Sequence, residues 1–395
     1  MPERNYSRRT FIRHQSLIGL GMAIAPAAFY PLSGKEETIR FISPVDGDIL
    51  HIHDGVVKGG SLRTTVTVNA PENSKISVNG IKASGNKNVY TAEVRLDALT
   101  NNIEVKDSRS GEKKSIKVYW LNQLAGKYRL SIDDAVWFLK DIHQHAASYN
   151  SVFDSPFLGF LKQVHDTYGT KVHINIFYET DGFDLSQMTD KYKAEWEANA
   201  DWLRLSFHAK AEFPDDPYKN AGYQQVKQEC EAVIREIRRF AGAALNDMVT
   251  TLHWGEVPIE VSRALRDAGY TAQLCDFNVD DGLAPCSYYL TIPQRRHMQK
   301  RFVWRDNEEN ITFIKSSIIL DTKKIHDIVP YLNRYEKENR KPPYVDLLIH
   351  EQYFYDYYHN YQPDYRDKVR TAVKWAIDNG YTPASIHECL NISPE

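Results

Sequence analysis

Residues 128–135 read Tyr128-Arg129-Leu130-Ser131-Ile132-Asp133-Asp134-Ala135, an alternating apolar run that ends on two adjacent carboxylates. Neighbouring side chains on a strand point to opposite faces. At a strand's C-terminal end that rule relaxes, and both acids can reach one cleft. Two carboxylates side by side repel, so the pair calls for a cation or a hydrogen-bond network to hold it. The alternative is local: either acid could cap a helix beginning near Ala135. Three histidines further along favour the cation. His208 closes Ser206-Phe207-His208, with Glu212 four residues on. His253 closes Thr251-Leu252-His253 and is followed by Trp254 and Glu256. His350 closes Leu348-Ile349-His350 and is followed by Glu351 and Tyr353. Imidazole and carboxylate ligands suit Zn²⁺ and other first-row divalent ions. The chemistry such a set supports is hydrolysis: an acidified water, a polarised substrate oxygen, a carboxylate that takes a proton and a histidine that gives one.

The elements that must position these groups follow from periodicity. Strand-like runs occupy residues 128–132, 171–178, 202–207, 248–252, 271–275, 312–320 and 345–349. Helical runs lie between them at 157–168, 223–240, 258–267 and 366–378, several with Pro at the start or Gly after the end. About seven β–α repeats predict a distorted (β/α) barrel over residues 124–395, whose chemistry belongs at the C-terminal ends of the strands. The acid pair and the three histidines all fall there. Residues 38–120 read differently, as short alternating strands with an Asn79-Gly80 hairpin signal, and predict an all-β immunoglobulin-like sandwich.

The strand ending in Ser-Ile-Asp-Asp, the later Ser-Phe-His and the final Leu-x-His, in that order, resemble the NodB-like polysaccharide deacetylases (carbohydrate esterase family 4). The resemblance implies a distorted (β/α) barrel, a divalent metal and removal of acetyl groups from a polysaccharide. It makes Asp133 the base, Asp134 a metal ligand and His350 the general acid. His208 matches the first histidine of the family's second motif, but Glu212 stands where the second should be. After the fourth strand the family's Arg and Pro-Tyr are replaced by His253-Trp254-Gly255-Glu256-Val257-Pro258. The metal set is therefore Asp134 and His208 with either Glu212 or His253, and the chain reads as a divergent member. Trp254, Glu256, Glu351 and Tyr353 are candidate substrate contacts. The tyrosine-dense run 352–361 suits either a loop that stacks on carbohydrate or a packed connection. Two other readings compete: a glycoside hydrolase using a carboxylate pair drawn from Asp133, Asp134, Glu256 and Glu351, and a non-catalytic carbohydrate-binding protein.

The bulk composition fits these readings. Of 395 residues, 42% are hydrophobic and 26% charged, with a formal net charge of −3, so no general attraction to nucleic acid is expected. The four cysteines are widely spaced with no CxxC pattern, which excludes a zinc-finger-type site. Ser7-Arg8-Arg9-Thr10-Phe11-Ile12 followed by an apolar run to Phe29 resembles a twin-arginine export signal over residues 1–34, with small residues near Ala25–Ala28 for cleavage. The expected product is a periplasmic or secreted protein with no membrane-spanning segment in its mature chain and a carbohydrate as its partner. Oligomeric state is not legible.

Overall fold

The computed structural model describes residues 39–280, 286–339 and 341–390. The twin-arginine-like segment lies outside them. Two compact units emerge. One comprises the chain through Val45, Thr65–Val94 and Ile103–Ser115; the other comprises Asp46–Thr64, Arg95–Asn102 and the chain from Ile116 onward. Strands between Arg40 and Trp120 form two five-stranded sheets. The hairpin expected at Asn79-Gly80 is present: Ile76–Val78 pairs antiparallel with Ile81–Lys82, and both turn residues have positive φ (47° and 78°). That is the type I′ geometry for which an Asn-Gly pair is suited.

From Lys127 the chain alternates strands and helices. Eight parallel strands can be followed: β1 (Lys127–Ala135), β2 (Val172–Phe177), β3 (Leu203–Ala209), β4 (Val249–Thr250), β5 (Ala272–Cys275), β6 (Ile311–Lys315), β7 (Ile318–Ile319) and β8 (Tyr344–His350). Pairing runs β3-β2-β1-β8-β7 in one sheet and β4-β5-β6 in the other. A single parallel bridge, Leu205 to Asn246, joins β3 to the chain entering β4. The strand order is that of a (β/α) barrel with its wall split in two. Helices α1 (Trp137–Gln144), α2 (Pro156–Tyr168), α3 (Tyr223–Phe240), α4 (Ile259–Asp267), α5 (Ile292–Arg301), α6 (Ile325–Glu338) and α7 (Tyr365–Asp378) connect or follow the strands. Among the described residues, no helix is long and apolar enough to cross a membrane.

One predicted strand is in fact two. Residues 312–320 break at Ser316-Ser317, where the chain changes partners: the Ser316 amide donates to Cys275 O (2.9 Å) and the Ser317 amide to Asp346 O (3.2 Å). The apolar run hides this break because both halves are buried. Helices α5 and α6 were not marked in the sequence. The first is strongly basic, and the second carries Pro330 in its interior.

The barrel interior is polar. On β1, Tyr128, Leu130 and Ile132 belong to the apolar core together with residues of α1 and α2. The alternate positions Arg129, Ser131 and Asp133 belong to the opposite face. The same alternation puts His173 and Asn175 of β2, Ser206 and His208 of β3, and Asp346 and His350 of β8 into one buried polar column. Several of its members are hydrogen-bonded to one another. Arg129 Nε donates to Asp346 Oδ1 (2.8 Å), Ser131 Oγ donates to the same oxygen (2.5 Å), and the His173 ring meets Ser206 Oγ at 2.7 Å. Breaking a buried ion pair by removing one partner leaves an uncompensated charge and costs about 3–5 kcal/mol. Arg129→Ala is therefore expected to lower the unfolding free energy by about that amount, and Arg129→Met combined with Asp346→Leu to recover much of it. Denaturant unfolding of the three proteins measures both effects; a loss below about 1 kcal/mol in Arg129→Ala would remove the column's structural role.

Candidate metal centre

Register explains how two neighbouring acids reach one mouth. Along β1 and β2, Ile132 pairs with Ile174, but the next pair is Ala135 with Ile176. Three residues on β1 thus span two on β2, a β-bulge, and Asp134 takes up the extra residue with φ 55°. The bulge turns Asp134 back toward the side that Asp133 already faces. Both acids are buried and each has a dedicated amide donor. Asn175 Nδ2 donates to Asp133 Oδ1 (2.7 Å), and Gln352 Nε2 donates to Asp134 Oδ2 (2.9 Å).

Asp134, His208 and His253 bring one ligand atom each to within 4.8 Å of one another, and all three are buried. His208 Nε2 lies 2.8 Å from Asp134 Oδ1, His253 Nδ1 lies 2.9 Å from the same oxygen, and the two ring nitrogens are 3.3 Å apart. The far side of each ring faces a backbone carbonyl. His208 Nδ1 contacts Thr251 O, and His253 Nε2 contacts Glu212 O (3.1 Å). A carbonyl only accepts, so the hydrogen of each neutral imidazole sits on its outer nitrogen. The inner nitrogens and Asp134 Oδ1 then turn toward one common point. A divalent cation satisfies that arrangement, and outer-nitrogen anchoring to a carbonyl is how metal-ligating histidines are oriented. The donor set, N₂O with open positions for water and substrate, fits zinc and other first-row divalent ions.

The two carboxyls diverge electrostatically. Burial pushes both up. In Asp134 the neighbouring imidazoles of His253, His350 and His208 outweigh it and hold the group well below the usual carboxylate range. In Asp133 burial prevails, aided by the neighbouring Asp134, and the pKa is raised. One carboxyl kept anionic beside one kept basic is an acid–base division of labour. His350 completes the mouth: its Nδ1 donates to Asp321 Oδ1 (2.8 Å), and its Nε2 lies 3.9 Å from Asp134 Oδ2.

Five of the ten residues singled out in the sequence thus meet: Asp133, Asp134, His208, His253 and His350. Glu212 enters through its backbone carbonyl on His253. Trp254, with φ 63°, is half-buried, its ring 6.1 Å from that of His253. Gly255 follows, also at positive φ (63°), where a Cβ would meet Cys275 Sγ at 2.6 Å. Glu256 pairs with Lys219 at 2.7 Å. Tyr353 is buried, its ring edge-on to His350 at 6.2 Å. Glu351 holds a different post from the substrate contact expected of it. It is fully buried, and its carboxylate accepts the backbone amides of Val136 (2.6 Å), Trp137 (2.9 Å) and Phe138 (2.6 Å), capping α1 from the end of the adjacent strand β8, with Tyr355 Oη at 2.7 Å. Asn175, Asp321 and Gln352 are the supporting residues that the sequence reading passed over. Asp321 follows the C-terminal end of β7, so the strand-end rule applied to a correctly divided 312–320 segment would have found it.

No family model and no curated protein matches the chain. Eleven chains among the solved structures do. They include Aspergillus clavatus Sph3 in complex with GalNAc (TM-score 0.33, 13% identity, 63% of this chain and 99% of that one). Bacteroides ovatus GH5 xyloglucanase in complex with a XXXG heptasaccharide is another (TM-score 0.20, 12% identity, 86% and 100%). A third is a calcium-binding mutant of Bacteroides uniformis beta-glucuronidase 2 (TM-score 0.29, 10% identity, 87% and 44%). At these scores none of them decides the chemistry of this chain.

The Glu351 cap has a pH signature. Burial raises its pKa from 4.5 to about 7 despite the hydrogen bonds it accepts from Tyr355 and three amides. A carboxyl that holds its proton more tightly when folded stabilises the protein fully below about pH 4.5, and that contribution is lost as the pH rises through about 7. The stability difference between the native protein and Glu351→Gln should therefore fall by roughly 3 kcal/mol between pH 4 and pH 8. Denaturant midpoints of the two proteins across that range test it; a flat difference would show that Glu351 ionises in place without penalty.

Proposed function

We propose that this chain is an exported metal-dependent hydrolase that removes acetyl groups from a polysaccharide or related glycan. The observation that carries the reading is the convergence of Asp134 Oδ1, His208 Nε2 and His253 Nδ1 within 4.8 Å of one another, all three side chains buried. Asp134, His208 and His253 would hold the ion. When bound, a divalent cation supplies an acidified water and polarises an acyl oxygen. Asp133, steadied by Asn175, accepts the proton from the attacking water. His350, whose Nδ1 hydrogen is committed to Asp321, would act as the imidazolium, with a second hydrogen on Nε2 that it delivers to the departing amine or hydroxyl, leaving the ring neutral. The order of the Asp-Asp, Ser-x-His and Leu-x-His segments supports acetyl removal. The short-stranded sheets between Arg40 and Trp120 are read as an immunoglobulin-like accessory module, and Arg8-Arg9 with the apolar run after it as the export signal. The carboxylate-pair alternative loses two of its candidates, since Glu351 is committed to α1 and Glu256 to Lys219.

Purified protein titrated with Zn²⁺ is expected to bind one ion, and Asp134→Ala or His208→Ala to abolish binding. Acetate release from a panel of acetylated polysaccharides should disappear with the metal. His350→Ala should keep the ion and lose about 10²–10⁴-fold in kcat. Native protein that takes up no metal, or His350→Ala with unchanged kcat, rejects the assignment.

A further inference from the structure

The second unit holds a cavity of about 860 Å³ lined by residues of α1 and of the segment after His350, a size within the range of small-molecule sites. Its floor is aromatic. The Trp137 ring lies 5.4 Å from Tyr355 and 5.4 Å from Tyr357, the last pair inclined by 31°, and Tyr355 and Tyr357 are 5.2 Å apart. Tyr357 is 70% exposed. Polar side chains edge the floor, among them Gln144, Thr180 and Arg366, and among the described residues the lining contains no Leu, Ile, Val or Met. Broad ring faces bordered by hydrogen-bonding groups match a pyranose, which has apolar C–H faces and a rim of hydroxyls. The lack of aliphatic side chains argues against a lipid tail.

The floor is also held rigid. Glu351 takes the Trp137 amide and the Tyr355 hydroxyl on one carboxylate. Two rings from distant parts of the chain are thereby fixed beside each other before any ligand arrives, which cuts the ordering cost of binding. The same two segments carry the centre: Trp137 follows Asp133-Asp134, and Glu351 follows His350. Rings continue between the two places, from Trp137 to Tyr358 (5.6 Å), to Tyr353 (5.5 Å) and to His350 (6.2 Å).

We propose that this cavity is a distal glycan subsite, in which Trp137 and Tyr357 stack on pyranose rings of a chain whose neighbouring residue occupies the metal centre. The proposal rests on the carbohydrate reading given above for the ligand class, but not on the reaction. Its test is binding of oligosaccharides to the full chain. Monomers and pentamers of N-acetylglucosamine, glucose and xylose are titrated into native protein, Tyr357→Ala and Asp134→Ala, with penta-lysine as a peptide control. At least one pentamer is expected to bind the native protein more tightly than its monomer. Tyr357→Ala should weaken that pentamer about tenfold, the size of one aromatic contact. Asp134→Ala should lose metal and still bind that pentamer more tightly than its monomer. Loss of metal binding and acetate release in every assay with this pattern intact would sink the hydrolase reading alone. No pentamer binding, equal binding by Tyr357→Ala, or preference for penta-lysine would overturn the subsite.

Discussion

Two backbone carbonyls set the character of this molecule's centre. By occupying the outer nitrogens of His208 and His253, Thr251 O and Glu212 O orient each ring and so turn both inner nitrogens toward Asp134. Without that constraint, an imidazole hydrogen pointing inward to Asp134 would make an ordinary buried Asp–His pair. With it, Asp134 and the two rings form a buried set of three side chains that could hold a metal ion. The loops that deliver the carbonyls are thus as much a part of the site as the ligands. Residues 252–255 are held in turn: Tyr288 Oη accepts the Leu252 amide, and Tyr288 N donates to Gly255 O.

The polar column inside the barrel supports the same centre from below. A barrel filled with branched aliphatic side chains would hold its shape by packing alone. Here the interior positions of β1, β2, β3 and β8 carry an arginine, histidines, serines, an asparagine and aspartates, and each must be answered by a partner because burial without one is costly. Asn175 shows the linkage: its amide group donates to Asp133 while its carbonyl accepts the Thr251 backbone N–H. One side chain therefore ties the base to the residue whose carbonyl orients His208. A substitution in the column reaches the centre through hydrogen bonds rather than through volume.

The strand-end positions of Asp133, Asp134, His208, His253 and His350 were legible because each closes an apolar segment, and a parallel barrel brings such ends to one mouth. Choosing His253 over the side chain of Glu212 was not, since both sit a few residues past a strand and only the path of the loop decides which one turns inward. Glu351 misled for a related reason. It directly follows His350, and adjacency in sequence suggested a shared rim, yet the turn Glu351–Phe354 directs it into the interior beneath α1. Asp321 escaped notice because the break at Ser316-Ser317 is a change of hydrogen-bond partner within a continuously buried run, which carries no signal in hydropathy.

Glu351 also links the aromatic cavity to the strand ends that carry Asp134 and His350. A helix starting just past the bulge leaves its first amides without intrahelical acceptors, and α1 begins at Trp137, three residues after Asp134. Val136 at its N-cap position provides no side-chain cap. The missing acceptor comes from the residue after His350, so the strand that carries the proposed base and first ligand is fastened to the strand that carries the proposed acid. The fastening carboxylate also holds Tyr355. Displacing any one of α1, the His350 strand end or the tyrosine loop would leave buried amides or a buried carboxylate unsatisfied, at a cost of about 1–3 kcal/mol for each group. The aromatic cavity and the strand ends that carry Asp133, Asp134 and His350 are accordingly positioned by the same hydrogen bonds.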